Sequence, residues 1–151
     1  MALGLILLSG GCSGAATEFS AVPIRGRVEF EISPNPIRAI RLEENQWSFP
    51  FEVTLRESGG VDVEIETLRL TVTIAGLPVA RMIWDGAEIE KRGYSTAIPA
   101  GEARQYAFTP VRTVPDERLL TLARADINVA AVDRDGRRSE ATRTISVVTE
   151  R

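Results

Sequence analysis

The stretch that decides the fold is "ADINVAAVDRDGRRSEATRTISVV", residues 125–148, because two long alternating segments flank one turn signal. The dipeptide Asp135-Gly136 favours a tight hairpin, since glycine tolerates the positive φ that such turns need. Side chains of a strand point alternately to its two faces, so every second residue lies on the same side. The stretch therefore predicts two long paired strands. The apolar residues that we expect to face one another across this hairpin are Ile127, Val129 and Ala131 on one strand and Ile145 and Val147 on the other.

The same two-residue period recurs toward the amino end. It is visible in "RVEFEI", residues 27–32, and in "FPFEVTLRE", residues 49–57. Between them, the two prolines of "SPNP", residues 33–36, are expected to end or bend the first strand at a sheet edge, because proline cannot donate to the ladder. Both segments are predicted to be strands with one wet face. Their inward side chains are expected to be Val28, Phe30, Ile32, Phe49, Phe51, Val53 and Leu55.

A longer segment, "VDVEIETLRLTVTIAG" (residues 61–76), changes phase in its middle. Its first apolar residues fall on odd positions and its later ones on even positions. A regular strand cannot keep both sets inside, because a slip of one residue exchanges its faces. We therefore predict a β-bulge or break near Glu66-Thr67. The odd set is Val61, Val63 and Ile65, and the even set is Leu68, Leu70, Val72 and Ile74.

Two further segments have less direct local signals. Asp85-Gly86 stands between "VARMIW" (79–84) and "AEIEKR" (87–92), which predicts a second tight hairpin. "PDERLLTLARAD", residues 115–126, suits either a helix or a strand, because its first three residues would open a helix well and its leucines fit both. In "RQYAFTP", residues 104–110, the aromatic residues lie on one side and are expected in the core.

About seven short strands, frequent turn signals and little clear helix indicate an all-β sandwich or barrel. The closing hairpin and the "SPNP" motif resemble the immunoglobulin-like and fibronectin-III-like domains of bacterial surface proteins. The resemblance covers residues 28–148, without the Cys-Trp-Cys core of antibody domains. It implies an immunoglobulin-like antiparallel β-sandwich of about seven strands over residues 25–151.

The first residues are typical of a secretory signal. Ala2–Leu8 is an apolar run too short to span a bilayer, and small residues follow it. The segment "LSGGC", ending at Cys12, resembles the lipobox of bacterial lipoproteins, although that family carries an aliphatic residue where Ser9 stands. The resemblance implies a signal peptide over residues 1–11, lipidation of Cys12 and a tether over residues 12–24. The alternative is a cleaved secretory leader with an incidental cysteine.

The residue types that are missing exclude several kinds of chemistry. The 151-residue chain has no histidine and one cysteine, Cys12. Imidazole catalysis, an internal disulfide, a zinc cluster and a Ser-His-Asp triad are therefore ruled out. The formal charge is −3 and no basic stripe is visible, so no nucleic-acid partner is expected. The acidic residues within 62–66 alternate along an expected solvent face rather than facing one another across a cleft, so no catalytic residue and no cofactor is predicted.

Two groups of residues are candidate binding sites. Asp133, Asp135 and Glu140 offer oxygen ligands for calcium, but their spacing does not match an EF-hand loop, and a turn explains the first two. Trp47 and Trp84 offer ring faces to a sugar or a protein, but packing in the core is the preferred interpretation for both.

The expected function is a non-enzymatic, lipid-anchored cell-envelope protein whose domain binds or scaffolds other envelope proteins or surface components. The chain is expected to cross the inner membrane and to stay anchored by lipid at the outer membrane or facing the periplasm. The alternative is a carbohydrate-binding module that uses Trp47 or Trp84 to contact glycans.

Overall fold

The computed structural model describes residues 24–150, which form two β-sheets, two short helices and the connections between them. Some strands are short and pair within the sheets that the longer, predicted strands form. The helices are α1 (Gly86–Lys91) and a 3₁₀ helix (Glu117–Leu122). Among residues 24–150 the strands are β1 (Val28–Ser33), β2 (Ile37–Arg41), β3 (Gln46–Ser48), β4 (Phe51–Glu57), β5 (Val63–Ile74), β6 (Leu77–Asp85), β7 (Ala97–Ile98), β8 (Ala103–Phe108), β9 (Val111–Thr113), β10 (Ala123–Asp133) and β11 (Arg138–Thr149).

One sheet has three strands in the order β1-β4-β8. The other has eight, in the order β6-β5-β10-β11-β2-β3-β9, with β7 also paired to β5. Within the described part of the chain every pairing is antiparallel except that of β11 with β2. The two sheets pack face to face, which confirms the predicted immunoglobulin-like β-sandwich. Strands of five residues or more number eight, close to the predicted seven.

The closing hairpin forms as predicted. Strands β10 and β11 pair along their length, and Gly136 has a φ of 77° in the turn between them. The pairing register places Ile145 opposite Ala125 and Arg143 opposite Ile127, so the apolar residues share a face without all standing directly opposite one another. All five predicted core residues of this hairpin are buried: Ile127, Val129, Ala131, Ile145 and Val147.

The predicted bulge in residues 61–76 is also confirmed. Ala130 of β10 pairs with Thr67, whereas the next residue, Ala131, pairs with Ile65. Glu66 is therefore the extra residue of β5. Its insertion lets both apolar sets of the strand face the same interior, because the bulge shifts the alternation by one residue.

The predicted second hairpin at Asp85-Gly86 is wrong. Asp85 has a φ of −80° and caps α1, its carboxylate accepting a hydrogen bond from the backbone N–H of Glu88 at 2.8 Å. The type I′ hairpin that Asp-Gly favours would need positive φ at both central residues. Buried Ile89 anchors α1 to the sandwich, so residues 87–91 are helical and the strand predicted over residues 87–92 does not form. The ambiguous segment 115–126 divides into the 3₁₀ helix and the start of β10.

The core lies between the two sheets and contains an aromatic cluster. Phe108 stacks on Phe51 with ring centroids 5.4 Å apart, and Trp84 lies 4.4 Å from Phe108. Tyr106 is buried beside them, as predicted, and its hydroxyl donates to the backbone oxygen of Ser95 at 2.9 Å. Within residues 24–150, neither helix has the length and apolar character needed to span a bilayer.

Candidate ligand-binding cleft

Both tryptophans lie inside the sandwich. Trp47 is 2% exposed and Trp84 is 7% exposed, and the guanidinium of Arg41 lies 5.6 Å from the centre of the Trp47 ring. Stacking on a sugar requires a ring face that is open to solvent. Neither tryptophan has a ring face open to solvent. Both residues therefore pack in the core, and the carbohydrate-binding alternative lacks the aromatic surface on which it depends.

Two of the three calcium candidates, Asp133 and Glu140, use their carboxylates in other contacts. Asp133 is 4% exposed, and its carboxylate accepts hydrogen bonds from the backbone N–H groups of Asp135 (2.9 Å), Arg137 (2.9 Å) and Gly26 (3.2 Å). These hydrogen bonds hold the pKa of Asp133 below its usual range, and the bond from Arg137 lowers it most. Glu140 pairs with Arg138 at 3.4 Å on the surface. Among residues 24–150, no three His, Cys, Asp or Glu residues are grouped to hold a metal ion.

A second buried carboxylate, Glu57, was missed by the sequence analysis. It is 1% exposed and lies at the end of β4. Burial by itself raises its pKa, but hydrogen bonds from four backbone N–H groups outweigh burial and hold the pKa below the ordinary 4.5. Its four donors are Gly101 (2.9 Å), Arg27 (3.2 Å), Gly59 (2.5 Å) and Gly60 (2.9 Å).

These two carboxylates join distant parts of the fold, and their lowered pKa values do not suit a general acid. Each binds segments that are far apart in the chain: Glu57 contacts residues 30 positions before it and 44 after it, and Asp133 contacts a residue 107 positions away. A general acid at neutral pH needs a raised pKa, and both groups have a lowered one. The only sequence sign of the Glu57 site is a glutamate just before Ser58-Gly59-Gly60, a turn whose amides can converge on one acceptor.

The feature best suited to a ligand is an apolar cavity of about 290 Å³ at one end of the sandwich. We call it the β6–β9 cleft. Residues from β5, β6, β10, the segment 110–115 and the 3₁₀ helix line it. Among its lining residues, only Arg112 and Thr113 have polar side chains. Its size is near the lower end of the range for small-molecule sites, roughly 300–1,000 Å³, and such sites are usually mostly apolar.

The cleft exists because the second sheet does not cover the ends of β5 and β10. Val72 and Ile74 continue the inward face of β5, yet both are only partly buried. At the matching positions of β10 the inward residues are the small Ala123 and Ala125, which are buried but fill little space. Val79 on β6 is 56% exposed and lines the opening. Small side chains and an uncovered strand end therefore leave room for an apolar group.

The opening of the cleft continues into a polar recess that shares Met82, Pro110 and Arg112 with it. We call the cationic residues of this recess the basic rim: Arg81, Lys91, Arg92 and Arg112. Within residues 24–150, Arg92 pairs with Glu88 at 3.3 Å, whereas no carboxylate lies within 4.0 Å of the other three cations.

Strand β6 is an edge strand of the large sheet, and its edge is interrupted beside the cleft. Thr73 of β5 pairs with Pro78, whereas Val72 pairs with Ala80, so Val79 forms a bulge. A proline has no N–H to donate, and bulges break the regular spacing of an edge. Both features block the addition of a further strand at this point.

The predicted lipidation site, Cys12, lies outside the described residues, as do the predicted signal peptide and nearly all of the tether. Those predictions stay predictions.

No family model matches the chain, and no curated protein matches it. Solved structures do match. The structural genomics target SoR45 is 18% identical, with 79% of this chain and 86% of that chain covered and a TM-score of 0.55. The putative ApaA protein from Bordetella pertussis is 15% identical, with 83% and 98% covered and a TM-score of 0.56. A CARDB domain from Pyrococcus furiosus is 16% identical, with 83% of this chain and 98% of that chain covered and a TM-score of 0.38. The first two likenesses show that this chain has the fold of a small β-sandwich domain.

Proposed function

We propose that this chain is a non-enzymatic binding module of the bacterial cell envelope, anchored by lipid on Cys12, and that it binds its partner through the β6–β9 cleft. The observation that carries the binding role is the open apolar cavity of about 290 Å³ in a sandwich whose remaining inward side chains are packed. Protein interiors are close-packed, so a cavity of this size that opens to the surface is best explained by an occupant.

The chemistry of the chain supports a role in binding rather than catalysis. Histidine is absent from the whole sequence. The buried carboxylates of Glu57 and Asp133 accept structural hydrogen bonds on both oxygens and have lowered pKa values. Neither carboxylate belongs to the residues that line the cleft.

The binding role is tested with a neutral, fluorescent apolar probe, N-phenyl-1-naphthylamine, added to the purified chain. We expect saturable binding that Ala125→Leu reduces, because the larger side chain fills part of the cavity beneath the opening. The matched control is Ala107→Leu, which makes the same change at an exposed position of β8 away from the cleft. Absence of saturable binding to the unmodified chain would refute the binding role.

Support for the lipid anchor comes from the resemblance of "LSGGC" to a lipobox and from the lone cysteine. Metabolic labelling with a palmitate analogue in a bacterial host tests it. Cys12→Ala should abolish labelling, and the neighbouring Ser13→Ala should not. Equal labelling of the Cys12→Ala chain and the unmodified chain would exclude the lipid anchor. The binding role of the domain would be unaffected, because the N-phenyl-1-naphthylamine experiment tests it separately.

A further inference from the structure

We propose that the β6–β9 cleft binds a single-chain amphiphile with a carboxylate headgroup, that is, a long-chain carboxylate of about ten carbons. This inference rests on the proposed binding function and names the ligand class for the same site. It combines three observations: an apolar cavity, cations at its opening, and an edge strand whose row of backbone groups is interrupted beside that opening.

The interior of the cleft selects an apolar chain. Val72, Ile74 and Val79 expose carbon to it, and Arg112 and Thr113 on β9 are the only lining residues with polar side chains among residues 24–150. Apolar cavities are poorly occupied by water, because a buried water needs two or more polar partners. A hydrocarbon chain loses no hydrogen bonds on entering such a site, whereas a sugar or a peptide backbone would lose several.

The volume sets the length of that chain. A water molecule takes up about 30 Å³ in the liquid, and a methylene group is of similar size. The cavity of about 290 Å³ therefore holds about ten such groups. Each buried methylene should tighten the dissociation constant about fourfold until the cavity is full.

The basic rim selects the headgroup. Arg112 lines both the apolar cavity and the polar recess, and its guanidinium donates one hydrogen bond, from Nη1 to the backbone oxygen of Val111 at 2.7 Å, which leaves its other N–H groups for a headgroup. Arg81 and Lys91 face the same recess. The two acidic residues nearby are already engaged, Asp85 by the backbone N–H of Glu88 and Glu88 by Arg92. An arginine fork matches a carboxylate in shape and charge, so an anionic headgroup completes this opening.

The edge of β6 argues against a peptide as the occupant. Addition of a strand needs a continuous row of free N–H and C=O groups. Pro78 lacks the N–H, and the bulge at Val79 breaks the row next to the opening. A small amphiphile needs no such row.

The test compares carboxylates and alcohols of equal chain length, from six to fourteen carbons, by titration calorimetry of the full chain below the micelle concentration of each probe. Decanoate should bind about tenfold more tightly than decanol, the gain expected from one charge-assisted contact. Affinity should rise with length and level off near ten carbons. Ala125→Leu should weaken both probes.

Charge variants measure the contribution of the headgroup to affinity separately from that of the hydrocarbon chain. Arg112→Gln and Arg81→Gln should each weaken decanoate by up to about tenfold and leave decanol unchanged. The matched control, Arg124→Gln, removes an exposed arginine of β10 away from the cleft and should change neither. Equal binding of acid and alcohol would overturn the headgroup assignment while leaving the apolar site intact. Failure of both probes, together with N-phenyl-1-naphthylamine, would overturn the proposed function itself.

Discussion

Replacement of Glu57 by glutamine should destabilise the domain strongly, although the two side chains are almost identical in shape. In the native structure each carboxylate oxygen accepts two backbone N–H groups: Gly59 and Arg27 on one, Gly60 and Gly101 on the other. Glutamine keeps one accepting oxygen and replaces the other with an NH₂ group, which cannot accept. Two of the four donors then lose their partner.

The magnitude follows from that count. A buried donor left without a partner costs about 1–3 kcal/mol. The four bonds are part-buried and the donor residues Arg27, Gly60 and Gly101 are exposed, so each lost bond costs an amount at the low end of that range, about 1 kcal/mol, and two give a loss of about 2 kcal/mol in the free energy of unfolding. Domains of ordinary size have about 5–15 kcal/mol in total, so the Glu57→Gln chain should lose a substantial fraction of its stability and stay folded in the absence of urea. The assay is urea unfolding followed by tryptophan fluorescence, which is suitable because Trp47 and Trp84 are both buried.

The same residue predicts a pH dependence. The folded pKa of Glu57 is lowered from 4.5, so its contribution is fully present above that value and is lost as pH falls through the folded pKa. The unmodified chain should lose stability on acidification below about pH 5, and Glu57→Gln should show a flatter dependence. Glu43→Gln, at an exposed position, is the control and should change stability by less than about 0.5 kcal/mol. A loss below about 1 kcal/mol for Glu57→Gln would refute the donor count.

Three other substitutions test separate parts of the fold. Trp84→Ala should cost about 3–5 kcal/mol in urea unfolding, because it removes a buried aromatic ring; unchanged stability would contradict its core position. Gly59→Ala should cost about 1–3 kcal/mol, because the added methyl group meets the backbone oxygen of Arg25, whereas the methyl group of Gly86→Ala only makes ordinary van der Waals contact with the backbone oxygen of Ile65 at 3.5 Å and should be neutral or slightly stabilising. Asp85→Ala should cost about 1 kcal/mol through loss of the helix cap, and no effect would indicate that α1 does not depend on it.

The sandwich was predictable from sequence because burial on one face leaves a direct periodic signal. The shift of parity near Glu66 even located a bulge to within a residue. The error at Asp85-Gly86 has an equally local cause: aspartate followed by glycine fits both a tight turn and a helix cap. Buried Ile89 decides in favour of the helix, and that contact depends on the tertiary structure.

The candidate site could not be found in this way. Val72 and Ile74 continue the alternation of Leu68 and Leu70 without a break, so the pattern predicts the same burial for all four. Whether the opposite sheet extends far enough to cover them depends on the lengths of strands elsewhere in the chain. The donors of Glu57 come from three separate segments, and no local pattern joins them.

The bonds to Gly26 and Arg27 have a mechanical consequence. The amide of Gly26 is held by Asp133 at the end of β10, and the amide of Arg27 is held by Glu57 at the end of β4. A pulling force on the amino end of the domain therefore enters through two neighbouring residues that are fastened to different sheets. Both sheets therefore share the load before β1 is strained. Acid that protonates the carboxylates of Asp133 and Glu57 would weaken these two bonds and remove that protection.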